Sequence, residues 1–204
     1  MKTTLILIAN FILLFQIANA GDGVEVGDIA PGFELKNIDE RKLSLDSYTR
    51  AEGVILIFSC NHCPYVKLYE DRINALDAKY KKQGYPVVAI NPNDPEIQPA
   101  DSFDKMKERA KEKNFTFPYL IDQTQEIAKA YGATRTPHVY LLKATESGQF
   151  TVAYIGAIDN DTEGKLTKTE RVNYVEDAIA ALQNGESPDP DFTKAIGCTI
   201  KWSK

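Results

Sequence analysis

The apolar run Val54-Ile-Leu-Ile-Phe58 and the pattern that follows it most strongly limit how this chain can fold. A continuous apolar run of this length is typical of a strand that is buried on both faces of a sheet. Apolar residues then recur at the spacing of one helical face: Val66, Tyr69, Ile73, Leu76 and Tyr80. Gly84 ends this predicted helix, and Pro86–Ile90 is the next buried strand. The sequence therefore predicts a right-handed βαβ unit with two parallel strands.

Weaker patterns extend this unit on both sides. The other predicted elements are a hairpin from 32–35 and 42–45, a helix over Ser102–Lys113, a short helix through Ala130 that Gly132 stops, a hairpin from His138–Leu142 and Phe150–Ile155, and a helix that follows a Thr167–Glu170 capping box and is closed by Gly185. The predicted fold class is α/β, with a central mixed sheet flanked by helices and an N-terminal β-hairpin extension.

Composition excludes several classes of protein. The 204 residues are 43% apolar and 26% charged, which is close to the average for a globular domain and unlike disordered, collagen-like or coiled-coil chains. The formal net charge is −5, without basic clusters, so we expect no nucleic-acid partner. Three cysteines are too few for a disulfide scaffold, and two histidines are too few for a His-rich metal enzyme.

The first twenty residues have the pattern of a signal peptide. Lys2 provides a positive start, 5–18 are mostly apolar, and Ala18-Asn-Ala20 matches the small-x-small motif that a signal peptidase reads. The apolar run is shorter than the roughly 20 residues that a membrane span needs. We therefore expect cleavage near Ala20 and no stable membrane insertion, with a retained N-terminal anchor as the alternative.

Cleavage would leave one domain over 21–187 and a tail over 188–204 that packs on it. The mature protein would be exported, either to a periplasm or to the outside of the cell. Disulfide bonds persist in such compartments, so the cysteines have to be considered as redox groups.

Cys60 and Cys63 lie between the first buried strand and the predicted helix. This spacing brings both sulfurs to one side of the helix start, within disulfide reach. Free N–H groups and the positive end of the helix dipole stabilise a thiolate there, so we predict a lowered pKa for Cys60, which would act as the nucleophile. Cys63, one turn deeper, would resolve the mixed disulfide. His62, when charged, would further stabilise the Cys60 thiolate.

A structural zinc site is the alternative for this motif. Such a site needs four ligands, and the chain has no second Cys-x-x-Cys pair. A Cys-x-x-Cys pair that follows a buried strand and precedes an amphipathic helix favours redox chemistry.

Thr136-Pro137 immediately precedes the predicted strand His138–Leu142. Proline is tolerated mainly at the first residue of a strand or at a special turn. A cis Thr136–Pro137 bond would present the Thr136 backbone to a ligand, so both residues are candidates for substrate binding.

The two motifs together resemble the thioredoxin-like superfamily. The opening Val26-Gly-Asp-Ile-Ala-Pro-Gly-Phe33 resembles its redoxin branch, which includes peroxiredoxins (AhpC/TSA) and TlpA-like thiol–disulfide proteins. Four further segments are similar to a peroxiredoxin-like subgroup of that branch: Phe58–Val66, Ala89–Asp94, Phe117–Asp122 and Gly197–Trp202. The resemblance covers about residues 24 to 202. It implies a thioredoxin fold, Cys60 and Cys63 as the redox pair, and Pro137 as the cis-proline beside them.

One departure from the peroxiredoxin pattern bears on function. Peroxiredoxins hold peroxide with a Pro-x-x-x-Thr/Ser-x-x-Cys arrangement. The corresponding positions are Gly53 and Ile57 for Cys60, and Leu56 and Cys60 for Cys63, so neither cysteine fits. A thiol-dependent peroxidase with an antioxidant role is therefore the second choice.

Three other features could carry function. Copper binding is the alternative from another class, because Cys60, Cys63 and His138 could converge and soft thiolates with imidazole suit Cu(I). Cys198 is either a buried apolar residue of the tail or a third redox cysteine that pairs with Cys60.

The segment Asp159–Glu170 has the spacing of a twelve-residue calcium loop. Its candidate ligands are Asp159, Asp161, Glu163 and Glu170. A polar loop with a capping box is the alternative, since a strand rather than a helix is predicted before it.

Taken together, these patterns predict an exported thiol–disulfide oxidoreductase without an organic cofactor. Its expected partners are protein or small-thiol disulfides and an upstream redox protein. The catalytic residues would be Cys60, Cys63 and His62, with substrate held at Thr136 and Pro137.

Overall fold

The computed structural model describes residues 23–204, so the predicted signal peptide lies outside the described residues. The strands are β1 (Glu34–Asn37), β2 (Lys42–Ser44), β3 (Gly53–Phe58), β4 (Val87–Asn91), β5 (Tyr119–Ile121), β6 (Arg135–Thr136), β7 (His138–Ala144), β8 (Phe150–Gly156) and β9 (Cys198–Thr199). The helices are α1 (Pro64–Tyr80), α2 (Phe103–Glu112), α3 (Glu126–Tyr131) and α4 (Tyr174–Gln183).

Seven strands form one mixed sheet in the order β2-β1-β5-β4-β3-β7-β8. The central strands β3, β4 and β5 run parallel, whereas β1 and β7 join them antiparallel. Every residue of β3 is buried, because this strand lies in the middle of the sheet with helices on both sides. The predicted βαβ unit, the N-terminal hairpin and the α/β class are confirmed.

The two faces of the sheet carry separate apolar cores. One core packs α1, α2 and α4 against the sheet through side chains such as Ile73, Met106 and Ile179. The other packs α3 and the N-terminal segment through Tyr131 and Phe33. This arrangement fixes the carboxyl ends of β3 and β4 relative to the start of α1, where the dithiol lies.

One strand is absent from the sequence prediction, and one helix begins later than predicted. The absent strand is β5, whose three residues are too few to show a periodic pattern. The Thr167–Glu170 capping box does form, with the Thr167 amide donating to Glu170 Oε2 at 2.9 Å, but it closes a separate turn. Helix α4 begins later, at Tyr174 after Asn173, and Val172 is exposed.

The tail over 188–204 packs on the rest of the chain. Strand β9 pairs antiparallel with β6, and Ile200 is buried in the second core. The amide of Lys201 donates to Asn93 Oδ1 at 2.8 Å, and the amide of Ser203 donates to Gln125 Oε1 at 2.9 Å. Within residues 23–204, no helix has the length and apolar character needed to cross a membrane.

Candidate active site

The dithiol lies in the short loop that connects β3 to α1. The Ser59 amide donates to Ile90 O at 2.8 Å, which ties the end of β3 to β4. Helix α1 begins at Pro64, directly after Cys63, which is its N-cap residue. The sequence analysis predicts Cys63 one turn deeper in the helix than Cys60, but in the structure Cys63 lies just before the first turn. Both thiols are buried, with exposed fractions of 2% for Cys60 and 0% for Cys63.

Thr136 contacts both sulfurs from the opposite side of the site. Its Oγ1 lies 3.2 Å from Cys60 Sγ, and its carbonyl oxygen lies 3.2 Å from Cys63 Sγ, from which it accepts a hydrogen bond when that thiol is protonated. The Thr136–Pro137 peptide bond is cis. The structure therefore brings together the two motifs that the sequence identified 73 residues apart.

The two thiols influence each other's pKa. The hydrogen bond with Cys63 raises the pKa of Cys60, and burial and the negative charge of Asp101 raise it further. The same hydrogen bond lowers the pKa of Cys63 to about 4. In the reduced pair, the direction at Cys60 is therefore opposite to the one that the sequence predicts. The main cause of both shifts is the hydrogen bond between the two thiols, which depends on their final geometry and not on their spacing in the sequence.

His62 is held by a buried carboxylate that the sequence analysis missed. Its Nδ1 lies 2.5 Å from Asp101 Oδ2, and Asp101 has no exposed surface. The Asp101 side chain also accepts hydrogen bonds from the amides of Asn61 and His62, at 2.7 and 3.2 Å, and from Asn93 Nδ2 at 2.7 Å. Four hydrogen bonds from three residues thus fix this carboxylate, the imidazole and the backbone between the cysteines.

Sequence position explains why Asp101 was missed. It lies about forty residues after the dithiol, in a short turn before α2, where an acidic residue is ordinary at a helix start. Its place in the site depends on the loop after β4, which the sequence alone does not fold.

The sequence of this chain is similar to those of known proteins. A family model described as "AhpC/TSA family" matches residues 26–159. The chain belongs to the AhpC/TSA family. Thiol-disulfide oxidoreductase ResA of Geobacillus thermodenitrificans is 31% identical over 153 residues, which cover 75% of this chain and 78% of that protein. These findings, with the buried dithiol, make this AhpC/TSA protein an oxidoreductase enzyme.

Solved structures confirm the thioredoxin-like fold of this AhpC/TSA protein. An uncharacterized conserved protein from Geobacillus kaustophilus is 37% identical with a TM-score of 0.78, covering 88% of this chain and 93% of that chain. The thioredoxin domain of thiol-disulfide oxidoreductase BVU-2223 from Bacteroides vulgatus is 14% identical with a TM-score of 0.52, covering 64% and 88%. The second match bears on the fold alone.

A possible metal-binding group in the AhpC/TSA domain differs from the predicted copper set. Cys60, His62 and Asp101 place ligand atoms within 4.8 Å of one another, and no other such group of three occurs among residues 23–204. Cys60, Cys63 and His138 do not form such a group among these residues, and the His138 ring packs on Tyr140 with centroids 4.8 Å apart. The hydrogen bonds of Asp101 already account for the observed group.

Cys198 lies against Cys63. It is half-buried, and its neighbours in a small apolar cluster are Cys60, Cys63 and Val66. Burial raises the pKa of Cys198 to about 11, with a further contribution from its hydrogen bond to Cys63.

The predicted calcium ligands do not converge. Arg72 Nη1 lies 2.7 Å from each carboxylate oxygen of Asp159 and also donates to the carbonyl of Asp161 at 2.9 Å. Arg171 Nη2 donates to Asp161 Oδ2 at 2.9 Å. Guanidinium groups therefore occupy the positions that a cation would need, which favours the polar loop over the calcium alternative.

The other two predicted calcium ligands have partners of their own. Glu163 pairs with Lys165 at the surface at 2.6 Å, and Glu170 accepts the Thr167 hydroxyl at 2.7 Å. The loop is the polar loop with a capping box that the sequence offered as the alternative.

Proposed function

We propose that this protein is an exported thiol–disulfide oxidoreductase that works through a mixed disulfide on Cys60, which Cys63 then resolves. The observation that carries the proposal is the buried pair of sulfurs at the start of α1, both in contact with Thr136 beside a cis-proline. The named relative ResA supports the same reaction class.

The first step is attack by Cys60 on a substrate disulfide. Cys60 Sγ bonds one substrate sulfur while the substrate S–S bond breaks, and Cys63 accepts the proton of Cys60 in the same step. This transfer opposes the pKa directions of the resting pair, so it is driven by formation of the new S–S bond at Cys60. The departing substrate sulfur leaves as a thiolate and takes a proton from solvent. The protonated Cys63 then donates to Thr136 O.

The second step resolves the mixed disulfide. Cys63 loses its proton and attacks Cys60 Sγ, which forms the Cys60–Cys63 disulfide and releases the second substrate thiol. His62, oriented by Asp101 and with a ring nitrogen within 4.8 Å of Cys60 Sγ, stabilises negative charge on Cys60 during both steps.

Substrate binding at Thr136 and Pro137 needs a change in the tail. Thr136 is fully buried, and its register partner in the two-stranded sheet is Cys198. We propose that a substrate chain contacts this backbone after β9 has moved aside. The substrates are disulfides of proteins or small thiols, and an upstream redox protein resets the pair.

Trapping of the intermediate tests the order of the two cysteines. Both test proteins carry Cys198→Ser, one with Cys63→Ser and the other with Cys60→Ser, and oxidised glutathione is the probe. We expect a stable glutathione adduct on Cys60 when Cys63 is replaced, seen by mass spectrometry, and a much slower reaction when Cys60 is replaced. An adduct that forms faster on Cys63 would contradict the proposed order.

Export is tested separately by the mass of the protein recovered from outside the cytoplasm. The proposed cleavage after Ala20 predicts a chain that starts at Gly21. Recovery of a chain that still starts at Met1 would contradict this part of the proposal.

A further inference from the structure

The C-terminal strand β9 covers the backbone beside the dithiol. Thr136 pairs with Cys198 and Arg135 pairs with Thr199 in an antiparallel register. The Ile200 amide donates to Thr134 O at 3.2 Å, and Arg135 Nη1 donates to Gly197 O at 3.0 Å. A segment of the chain itself therefore lies where the sequence analysis expected a substrate chain.

Gly197 allows this close approach. A side-chain carbon at position 197 would lie 2.1 Å from Thr136 O and 2.6 Å from Thr136 C, both of which are backbone atoms that cannot rotate away. Only glycine therefore lets β9 lie flat on the Thr136–Pro137 backbone. The same contact sets the position of the next residue, Cys198.

The three sulfurs have a definite order. Cys198 packs with Cys60 and Cys63 in one small cluster, and the thiols of Cys60 and Cys198 both lower the pKa of Cys63. Cys63 is completely buried and Cys60 nearly so, whereas Cys198 is half-buried. The cluster thus extends from the closed dithiol towards the surface, with Cys63 in the middle.

We propose that Cys198 is a third redox thiol of this site, which takes over the disulfide from the Cys60–Cys63 pair by attacking Cys63. The proposal rests on the oxidoreductase function proposed above, since that reaction makes the Cys60–Cys63 disulfide. The Cys198 thiolate bonds Cys63 Sγ, the Cys60–Cys63 bond breaks, and its electron pair leaves on Cys60. The proton lost by Cys198 is balanced by the proton that Cys60 takes up, so one disulfide and one thiol exist before and after.

The charges around Cys198 favour the exchange in the oxidised protein, in which the Cys60–Cys63 disulfide is present. In the reduced protein, burial raises the pKa of Cys198, and the hydrogen bond and the negative charge of Cys63 raise it further. Once Cys63 is part of a disulfide, it no longer carries that charge. Lys201 and Arg135 still lower the pKa of Cys198, so its thiolate forms more readily in the oxidised protein.

The exchange has two consequences for the reaction. Cys60 becomes a free thiol again while the oxidising equivalent stays in the protein. The disulfide moves from two buried sulfurs to a pair that includes the more exposed Cys198, where a redox partner can reach it.

Disulfide mapping of three single replacements tests the order of the sulfurs. Each protein is oxidised with oxidised glutathione, quenched in acid, alkylated and mapped by mass spectrometry without reductant. We expect a Cys63–Cys198 linkage in Cys60→Ser, a Cys60–Cys63 linkage in Cys198→Ser, and no intramolecular linkage in Cys63→Ser. A Cys60–Cys198 linkage in Cys63→Ser that forms as fast as the other two would overturn the proposal.

A glycine pair tests the role of the docked strand in the otherwise native protein. Gly197→Ala should lose the Cys63–Cys198 linkage but keep Cys60–Cys63, because the added carbon lifts β9 from Thr136. Gly32→Ala is the matched control, since nothing lies within 4 Å of its added carbon, and it should keep both linkages. Equal amounts of Cys63–Cys198 in the two variants would contradict the inference.

The failure of this inference can be distinguished from the failure of the proposed function. Suppose that the native protein forms Cys60–Cys63, and that Cys63–Cys198 forms neither in the native protein nor in Cys60→Ser. This result refutes the role of Cys198 and leaves the oxidoreductase function standing. A Cys198→Ser protein that forms no Cys60–Cys63 disulfide refutes the oxidoreductase function, and the exchange falls with it.

Discussion

Asp101 is a buried carboxylate whose partners are all N–H groups of the dithiol loop and of Asn93. A buried polar group that loses its hydrogen bonds costs about 1 to 3 kcal/mol, and more when charged partners are involved. The residue therefore supports both the stability of the loop and the orientation of His62. Its effects should be measurable separately in stability and in reaction rate.

Replacement of Asp101 by Asn tests this support. An asparagine side chain can accept hydrogen bonds only on its oxygen. Its NH₂ group would therefore face N–H donors that now donate to the second carboxylate oxygen of Asp101. We expect the free energy of unfolding to fall by about 2 kcal/mol, measured by urea titration. Asp71→Asn, on the exposed side of α1, is the control and should change it by less than about 0.5 kcal/mol. Equal effects of the two replacements would contradict the role of Asp101.

His138 is a second buried titratable group, on the first residue of β7. Burial lowers its pKa to about 4 from the ordinary 6.5, and its Nδ1 has no hydrogen-bond partner. The unfolded chain therefore binds a proton at a higher pH than the folded chain does. The stability that comes from neutral His138 is complete above pH 6.5 and is lost as the pH falls towards 4.

The pH dependence of stability tests this contribution. Between pH 7.5 and pH 5 we expect the native protein to lose about 2 kcal/mol more than His138→Phe, which cannot titrate. Urea titrations of both proteins at the two pH values give the difference. Parallel losses in the two proteins would show that His138 has an ordinary pKa in the folded state.

Some residues of the site can be predicted from local sequence patterns, and others cannot. The spacing of Cys60 and Cys63 and the Thr136-Pro137 motif follow local rules for strand ends and helix starts, and the structure brings them into contact. The pKa directions of the two thiols depend on the contact between them, on burial and on Asp101, none of which the spacing alone gives. Asp101 depends on a long-range loop contact that has no local pattern.

At the scale of elements, the loop after β8 uses protein cations where the sequence suggested calcium. Arg72 reaches from α1 to Asp159, and Arg171 reaches Asp161 from within the loop itself. The spacing of acidic residues alone does not distinguish a calcium site from carboxylates that are paired with arginines. Arg72 also packs over the ring of Tyr69, which fixes its direction on α1.

Removal of the Arg72 guanidinium should lower the free energy of unfolding. Arg72→Ala leaves the buried Asp159 carboxylate without its guanidinium partner, and we expect a loss of about 3 kcal/mol in the free energy of unfolding. Lys67→Ala, at an exposed position of the same helix, is the control. The native protein should show the same melting temperature with calcium as with chelator, because its carboxylates are already paired. A rise in melting temperature with calcium would contradict this.

The predicted elements succeeded where the pattern was long. Helix α1 and strand β3 show clear periodicity and apolar runs, and both formed as expected. Strand β5 has three residues but lies between β1 and β4, so its place comes from the pairing of the whole sheet. Strand β9 likewise has two residues, and nothing in its local sequence says that Thr136 is its partner.

At the scale of the whole molecule, one apolar sheet holds the dithiol rigidly while the tail closes over it. The buried strands β3 and β4 fix the loop before α1, and β9 covers Thr136. The first feature lies within the region that matches the AhpC/TSA family, residues 26–159. The second feature comes from residues beyond 159, outside the matched family region.

The reduction potential of the Cys60–Cys63 pair tests the central claim most directly. The Cys198→Ser protein is equilibrated over a series of glutathione ratios, quenched and alkylated, and its free thiols are counted by mass. The lowered pKa of Cys63 stabilises the reduced form, so we predict that both thiols disappear together, with a midpoint above the roughly −270 mV of thioredoxin. If both thiols stay free at every ratio, the protein does not use this pair as a disulfide and the account is wrong.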